Sequence, residues 1–97
     1  MLRGNTMKYY VVTFTHTKIV GWAIFLHAHV KYLEKLLSEK KLRAAGVYVN
    51  NPAAGLSILS VADAAEAEAI MKEDPYVKNL GASYQVIQWD PKFGEFK

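Results

Sequence analysis

Residues 22–40 read WAIFLHAHVKYLEKLLSEK, and this stretch decides the fold. With about 100° of turn per residue and His29 set at zero, Trp22, Phe25, Leu26, Leu33, Leu36 and, at the margin, Leu37 fall within roughly 80° of it. His27, Lys31, Glu34, Ser38 and Lys41 fall on the opposite side. The periodicity predicts a helix that presents His29 at the centre of its apolar stripe, where a sheet should pack. His27 points to solvent. An imidazole held on a buried face requires a hydrogen-bond partner.

Upstream, residues 8–15 are β-branched or aromatic and predict a strand. Both alternating sets, Tyr9/Val11 and Tyr10/Val12/Phe14, carry large apolar side chains, the pattern of a strand covered on both faces. Residues 16–21 form a loop that Gly21 closes before the helix. Downstream, residues 42–49 predict a second strand, with Gly46 marking a bulge or the close approach of a ligand or backbone. Residues 50–55, Asn-Asn-Pro-Ala-Ala-Gly, are a turn by composition. Residues 56–61 then form a third strand, in a hairpin with the second.

Asp63-Ala64-Ala65-Glu66 is a capping box for a second helix, whose stripe is Ala67, Ile70 and Met71. Asp74-Pro75-Tyr76-Val77 starts a new helical turn, with Asp at the N-cap and Pro at the first helical position, and Gly81 ends it. Residues 83–89 are the fourth strand, stopped by Pro91. Phe93 and Phe96 in the tail are candidates to pack on a partner chain. The order β-α-β-β-α-β is an α+β, ferredoxin-like plan: a four-stranded antiparallel sheet with helices on one face. The other face still carries large apolar residues, which points to a homodimer joined sheet to sheet.

The 97 residues make one domain, residues 8–97, behind an N-terminal extension of residues 1–7 that is expected to be unstructured. Met7 is a possible alternative start. At 52% hydrophobic residues the chain is globular. It has no cysteine, so disulfides and thiolate metal sites are excluded, and a cytoplasmic location is the expectation. The net charge of +3 is too small to indicate nucleic acid, and the cluster Lys35, Lys40, Lys41 and Arg43 reads as a solvated helix end. No apolar run is long enough to span a bilayer. His27 and His29, two apart, face opposite ways, and with His16 they form no recognisable metal spacing. No phosphate loop, nucleophile elbow or dinucleotide fingerprint is present, and no cofactor is expected.

Two readings of the central pair stay open on the residues alone. Asp74 accepts a hydrogen bond from His29, fixing its tautomer for proton transfer. Alternatively, His29 is a satisfied core histidine and Asp74 only a helix cap. Trp22 could wall a pocket for a ring, Tyr9, Tyr48 and Tyr76 could each offer a phenol to a substrate oxygen, and Gly46 could mark the close approach of a ligand, or each could be structural alone.

His29-Val30-Lys31-Tyr32-Leu33, the Leu36-Leu37 pair, Lys41-Leu42-Arg43-Ala44-Ala45-Gly46, Asp74-Pro75-Tyr76-Val77, Gly81 and the aromatic-ended strand to Trp89 together resemble the YciI-type, or YCII-related, domain family. The resemblance covers nearly the whole domain. It implies a dimeric α-β barrel related to muconolactone isomerase, with a His–Asp active site that maps onto His29 and Asp74. It also implies activity on small, often aromatic, ring compounds by proton transfer or halide elimination. Val47 follows Gly46 where the family usually has proline, and the approach to the helix, residues 17–25, is extended and aromatic. Both departures bear on the pocket mouth. The expected function is a cofactor-free lyase or isomerase, dehydrochlorinase-like reactions included. The alternative is a catalytically silent dimer that binds a small ligand or serves as an accessory domain.

Overall fold

Alternation in residues 8–15 puts Tyr10 and Val12 on one side of a strand and Tyr9 and Val11 on the other. In the computed structural model, which describes residues 7–16 and 19–96, that strand is β1 (Lys8–Thr15). It is followed by α1 (Ile19–Ser38), β2 (Leu42–Tyr48), β3 (Asn51–Val61), α2 (Ala64–Glu73), α3 (Pro75–Leu80) and β4 (Ser83–Trp89). The sheet order is β2-β3-β1-β4, and every neighbouring pair is antiparallel. This is the expected ferredoxin-like α+β fold. The proposed extension falls largely outside the described residues, as does the start of the approach to α1.

The helices cover one face. Tyr10 and Val12 from β1, Leu42 from β2, and Leu59 and Val61 from β3 pack with Leu36 of α1 and with Ala67, Ile70 and Met71 of α2. Each large side chain so buried contributes about 1.5–3 kcal/mol. The other face is open. Ala44, Ile58, Val11 and Ile87 pair across all four strands into one apolar row, and Ile87 is 50% exposed. Covering on both faces, expected for β1, is therefore found on one face within the chain.

Several local expectations are corrected. The helix begins at Ile19, so Gly21 lies within its first turn and does not close a loop. A Cβ there would run into the Leu80 side chain, so Gly21 lets α1 and α3 approach. Helix α1 ends at Ser38, with Lys40 in the left-handed conformation at φ 66°. The Lys41 N–H then donates to the Leu36 carbonyl at 3.0 Å and the Lys40 N–H to the Leu37 carbonyl at 3.1 Å, a Schellman ending with lysine in the usual glycine position.

Residues 51–55 are not a turn. They begin β3, and the hairpin reverses at Val49 and Asn50. Pro52, which lacks an N–H, sits where the β2–β3 register slips between Val47 and Tyr48, so no ladder donor is missing. The other slip lies between Leu42 and Ala44, at Arg43, and not at Gly46. The close backbone approach belongs to Gly55, where a Cβ would strike the Gly46 carbonyl and the Phe14 ring; a Cβ on Gly46 would meet nothing.

Leu26 and Leu37, placed on the helix stripe, are 40% and 53% exposed. The α1 stripe is narrower than the wheel allows because the sheet contact centres on Leu36, with Tyr32 and Leu33 beside it. Arg43 is exposed but lies in β2, not at the helix end. Its guanidinium donates to the Tyr9 hydroxyl at 2.9 Å and lies 5.6 Å from the Phe96 ring centre. Phe96 packs edge-on against Tyr9 of its own chain.

Candidate active site

Asp74 closes α2 and opens α3. Its extended backbone stops the first helix, and its N–H donates to the Met71 carbonyl at 3.1 Å. Pro75 has its φ set for a first helical position and needs no acceptor. The Asp74 carboxylate oxygen Oδ1 accepts from the Tyr76 N–H at 2.9 Å, the usual N-cap bond. Gly81, left-handed at φ 66°, ends α3 after six residues.

The same oxygen faces α1. His29 Nδ1 lies 3.0 Å from Asp74 Oδ1, with side-chain exposures of 16% and 7%. An ionised carboxylate only accepts, so Nδ1 is the donor, and in the neutral form of the ring the lone pair is then on Nε2. The Tyr76 ring stacks on the imidazole, with centres 4.1 Å apart and planes 18° from parallel. A Tyr32 hydroxyl bond to the Ile70 carbonyl at 2.6 Å ties α1 to α2. These contacts fix the imidazole from one side and one edge.

His29 and Asp74 belong to the wall of a cavity of about 220 Å³ between α1, α3 and the sheet. Trp22, Gly46 and Tyr76, the other candidate residues from the sequence, line it too, and aliphatic side chains such as Val30, Leu33 and Leu59 make up much of the remainder. No lysine or arginine is among its lining residues. His27 is exposed on α1, as the wheel required.

His16 is the residue that sequence reasoning missed. It lines the cavity, is 8% exposed, and meets the Tyr76 ring edge-on at 4.5 Å. Its backbone N–H donates to the Ala53 carbonyl at 2.7 Å, which extends the β1–β3 pairing past Thr15. The signal was present: Tyr10, Val12, Phe14 and His16 share one parity, so the strand's period carries His16 onto the helix-covered face.

Burial pushes the Tyr76 hydroxyl up to about 12, and the Asp74 carboxylate adds to the shift. The Tyr32 hydroxyl is likewise raised to about 12, by burial first and then by Asp74, Glu73 and Glu39. Burial lowers the pKa of His16, and His29 lowers it further against an opposing pull from Asp74, so the ring is neutral at pH 7. His16 Nδ1 and the Tyr76 hydroxyl are both buried without a hydrogen-bond partner. Among the described residues, no three His, Cys, Asp or Glu converge as a metal site.

The fold and site together define a class: a small ferredoxin-like domain with a part-buried imidazole–carboxylate pair in a mainly apolar cavity. Residues 21–90 match the family model of the YCII-related domain, and the chain belongs to that family. No curated protein and no solved structure matches it. The matched span contains His29 and Asp74 but not His16. No helix among the described residues is long and apolar enough to cross a membrane.

Proposed function

We propose that the protein is a small cofactor-free enzyme of the lyase or isomerase type, in which His29, oriented by Asp74, transfers a proton on a small ring compound. One observation carries this reading: the 3.0 Å contact between His29 Nδ1 and Asp74 Oδ1 at the wall of a cavity. The carboxylate holds the imidazole in the tautomer whose Nε2 accepts a proton, and it stabilises the imidazolium that results. An apolar cavity of about 150 Å³ holds benzene, so one of this size suits a single ring with a short substituent. Trp22 and Tyr76 supply aromatic walls, and Gly46 leaves the sheet side of the cavity unobstructed by a side chain.

The test is a thermal-shift screen of ring compounds, followed by deuterium incorporation or halide release from each hit, in the wild type and in His29→Ala. A hit that turns over only with His29 present supports the proposal. Hits that bind but never react, with or without His29, identify a silent ligand-binding domain instead.

The working form we propose is a homodimer joined through the open sheet face. The row Ala44, Ile58, Val11 and Ile87 supports it, since a contiguous apolar face of this kind is costly to leave in water. Light scattering at micromolar concentration should report a dimer, and a stable monomer there would remove the face-to-face arrangement.

A further inference from the structure

Asp74, His16 and Ser57 are the buried polar side chains among the described residues, at 5%, 8% and 7% exposure. Asp74 is engaged by the Tyr76 N–H and by His29. His16 Nδ1 is sealed in protein without a partner. Ser57 differs from both. Its hydroxyl makes no hydrogen bond within the chain, yet it is not one of the unpartnered atoms closed off from solvent. The little surface that Ser57 keeps therefore includes its Oγ.

The sheet register fixes where that oxygen faces. Ser57 stands on an interior strand, opposite Val12 of β1 and Ala45 of β2. Val12 is fully buried under the helices, and Leu59, two residues on from Ser57, is 1% exposed in the same core. Side chains alternate along a strand, so Ser57 faces the helices too. The space it meets there is the cavity, whose wall it shares with His29. Of the wall residues from β1, β2 and β3, Ser57 alone has a polar side chain. We infer that Ser57 is a ligand-binding residue at the sheet side of the cavity, donating a hydrogen bond to an uncharged oxygen substituent on the ring compound that the cavity holds.

The chemistry of the wall selects that substituent. An accessible hydroxyl is hydrated in solution, and a ring that fills the cavity displaces that water. An oxygen on the ring restores the lost hydrogen bond, whereas a hydrocarbon leaves the Ser57 hydroxyl unpaired against apolar surface. A carboxylate would find no lysine or arginine in the wall and would share it with Asp74. An ammonium would find a carboxylate already bonded to His29 and to the Tyr76 N–H. An alanine at position 57 would leave the same room without the polar atom, so packing does not account for the serine.

This site deepens the proton-transfer reading by naming what the substrate carries, and rests on it only for the cavity as the place where the ring binds. Ser57 lies on the sheet and His29 on α1. An oxygen held at Ser57 therefore sets which end of the ring is turned to the sheet.

The probes are phenol and toluene, which differ by a hydroxyl against a methyl group of similar size. NMR titration of the whole protein gives the affinity of each, in the wild type and in Ser57→Ala. Phenol should lose about three- to tenfold in affinity in Ser57→Ala, while toluene binds equally well or more tightly. Ser57→Cys, whose thiol is a poor donor, should weaken phenol in the same direction. Both probes should move the signals of Ser57 and His29. Phenol affinity unchanged in Ser57→Ala, equal losses for the two probes, binding that leaves those signals unmoved, or no binding of either would each overturn the inference. Turnover of the ring compounds from the thermal-shift screen, compared with His29→Ala, separates the two readings. Oxygen preference that depends on Ser57, with no turnover that depends on His29, removes the proton-transfer reading and keeps the site. Turnover that depends on His29, with no effect of Ser57→Ala on binding, does the reverse.

Discussion

Removing the oxygen of Tyr76 should stabilise the protein. The ring is wedged between His29, stacked at 4.1 Å, and His16, edge-on at 4.5 Å, and Phe preserves both contacts. What is lost is a hydroxyl buried without a partner. An unsatisfied buried polar group costs about 1–3 kcal/mol, and from this the packing contributed by one oxygen atom must be subtracted. The expected net gain for Tyr76→Phe is about 1 kcal/mol. For a domain of this size that raises the thermal midpoint by about 4–8 °C. Urea unfolding should show a higher midpoint with an unchanged slope, since the surface exposed on unfolding is almost the same. A loss of stability of similar size would refute the reasoning, because the hydroxyl would then have a partner, a trapped water included.

Asp74→Asn should stay within about 1 kcal/mol of wild-type stability, because Asn also caps a helix. It should nevertheless populate the other His29 tautomer in ¹⁵N NMR and lower turnover by up to about 10⁴-fold. Lowered pKa in the folded state means that unfolded His16 binds the proton more readily, so its contribution to stability is full above pH 6.5 and declines as the pH falls through the folded value. Chemical denaturation between pH 7 and 5 should therefore show a smaller acid loss in His16→Gln than in the wild type. Gly55→Ala should destabilise by about 1–3 kcal/mol in calorimetry, since its methyl group meets the Gly46 carbonyl and the Phe14 ring. His27→Ala should shift the thermal midpoint little and leave any turnover unchanged, as expected of an exposed side chain on the outer side of α1.

The places of His29 on the central helix and of Asp74 at the start of α3 were legible because both are local problems. Helical periodicity places His29 on the covered side without reference to the rest of the chain. The Asp-Pro start of α3 is a backbone preference that needs only adjacent residues. His16 and residues 51–55 were lost together, for one reason. Asn, Pro and Gly at 50–55 look like a turn, but pairing with β1 overrides that composition: Phe14 faces Gly55, Thr15 faces Ala54, and the His16 N–H reaches Ala53. Once residues 51–55 are a strand, His16 is at the end of a ladder and no longer in a loop, and its ring goes inward. The cavity itself was not readable from periodicity, because it depends on how far α1 and α3 stand from the sheet.

Asp74 Oδ1 serves two bonds at once, one to the Tyr76 N–H and one to the His29 ring. Helix α3 has only six residues and cannot persist undocked. Whenever it detaches, the Tyr76 amide and the imidazole lose the same oxygen in the same event. Exchange of the Tyr76 amide hydrogen with solvent therefore counts the openings that disorient His29. The protein contains its own clock for how often its imidazole is held in place, readable at one backbone position with no substrate present.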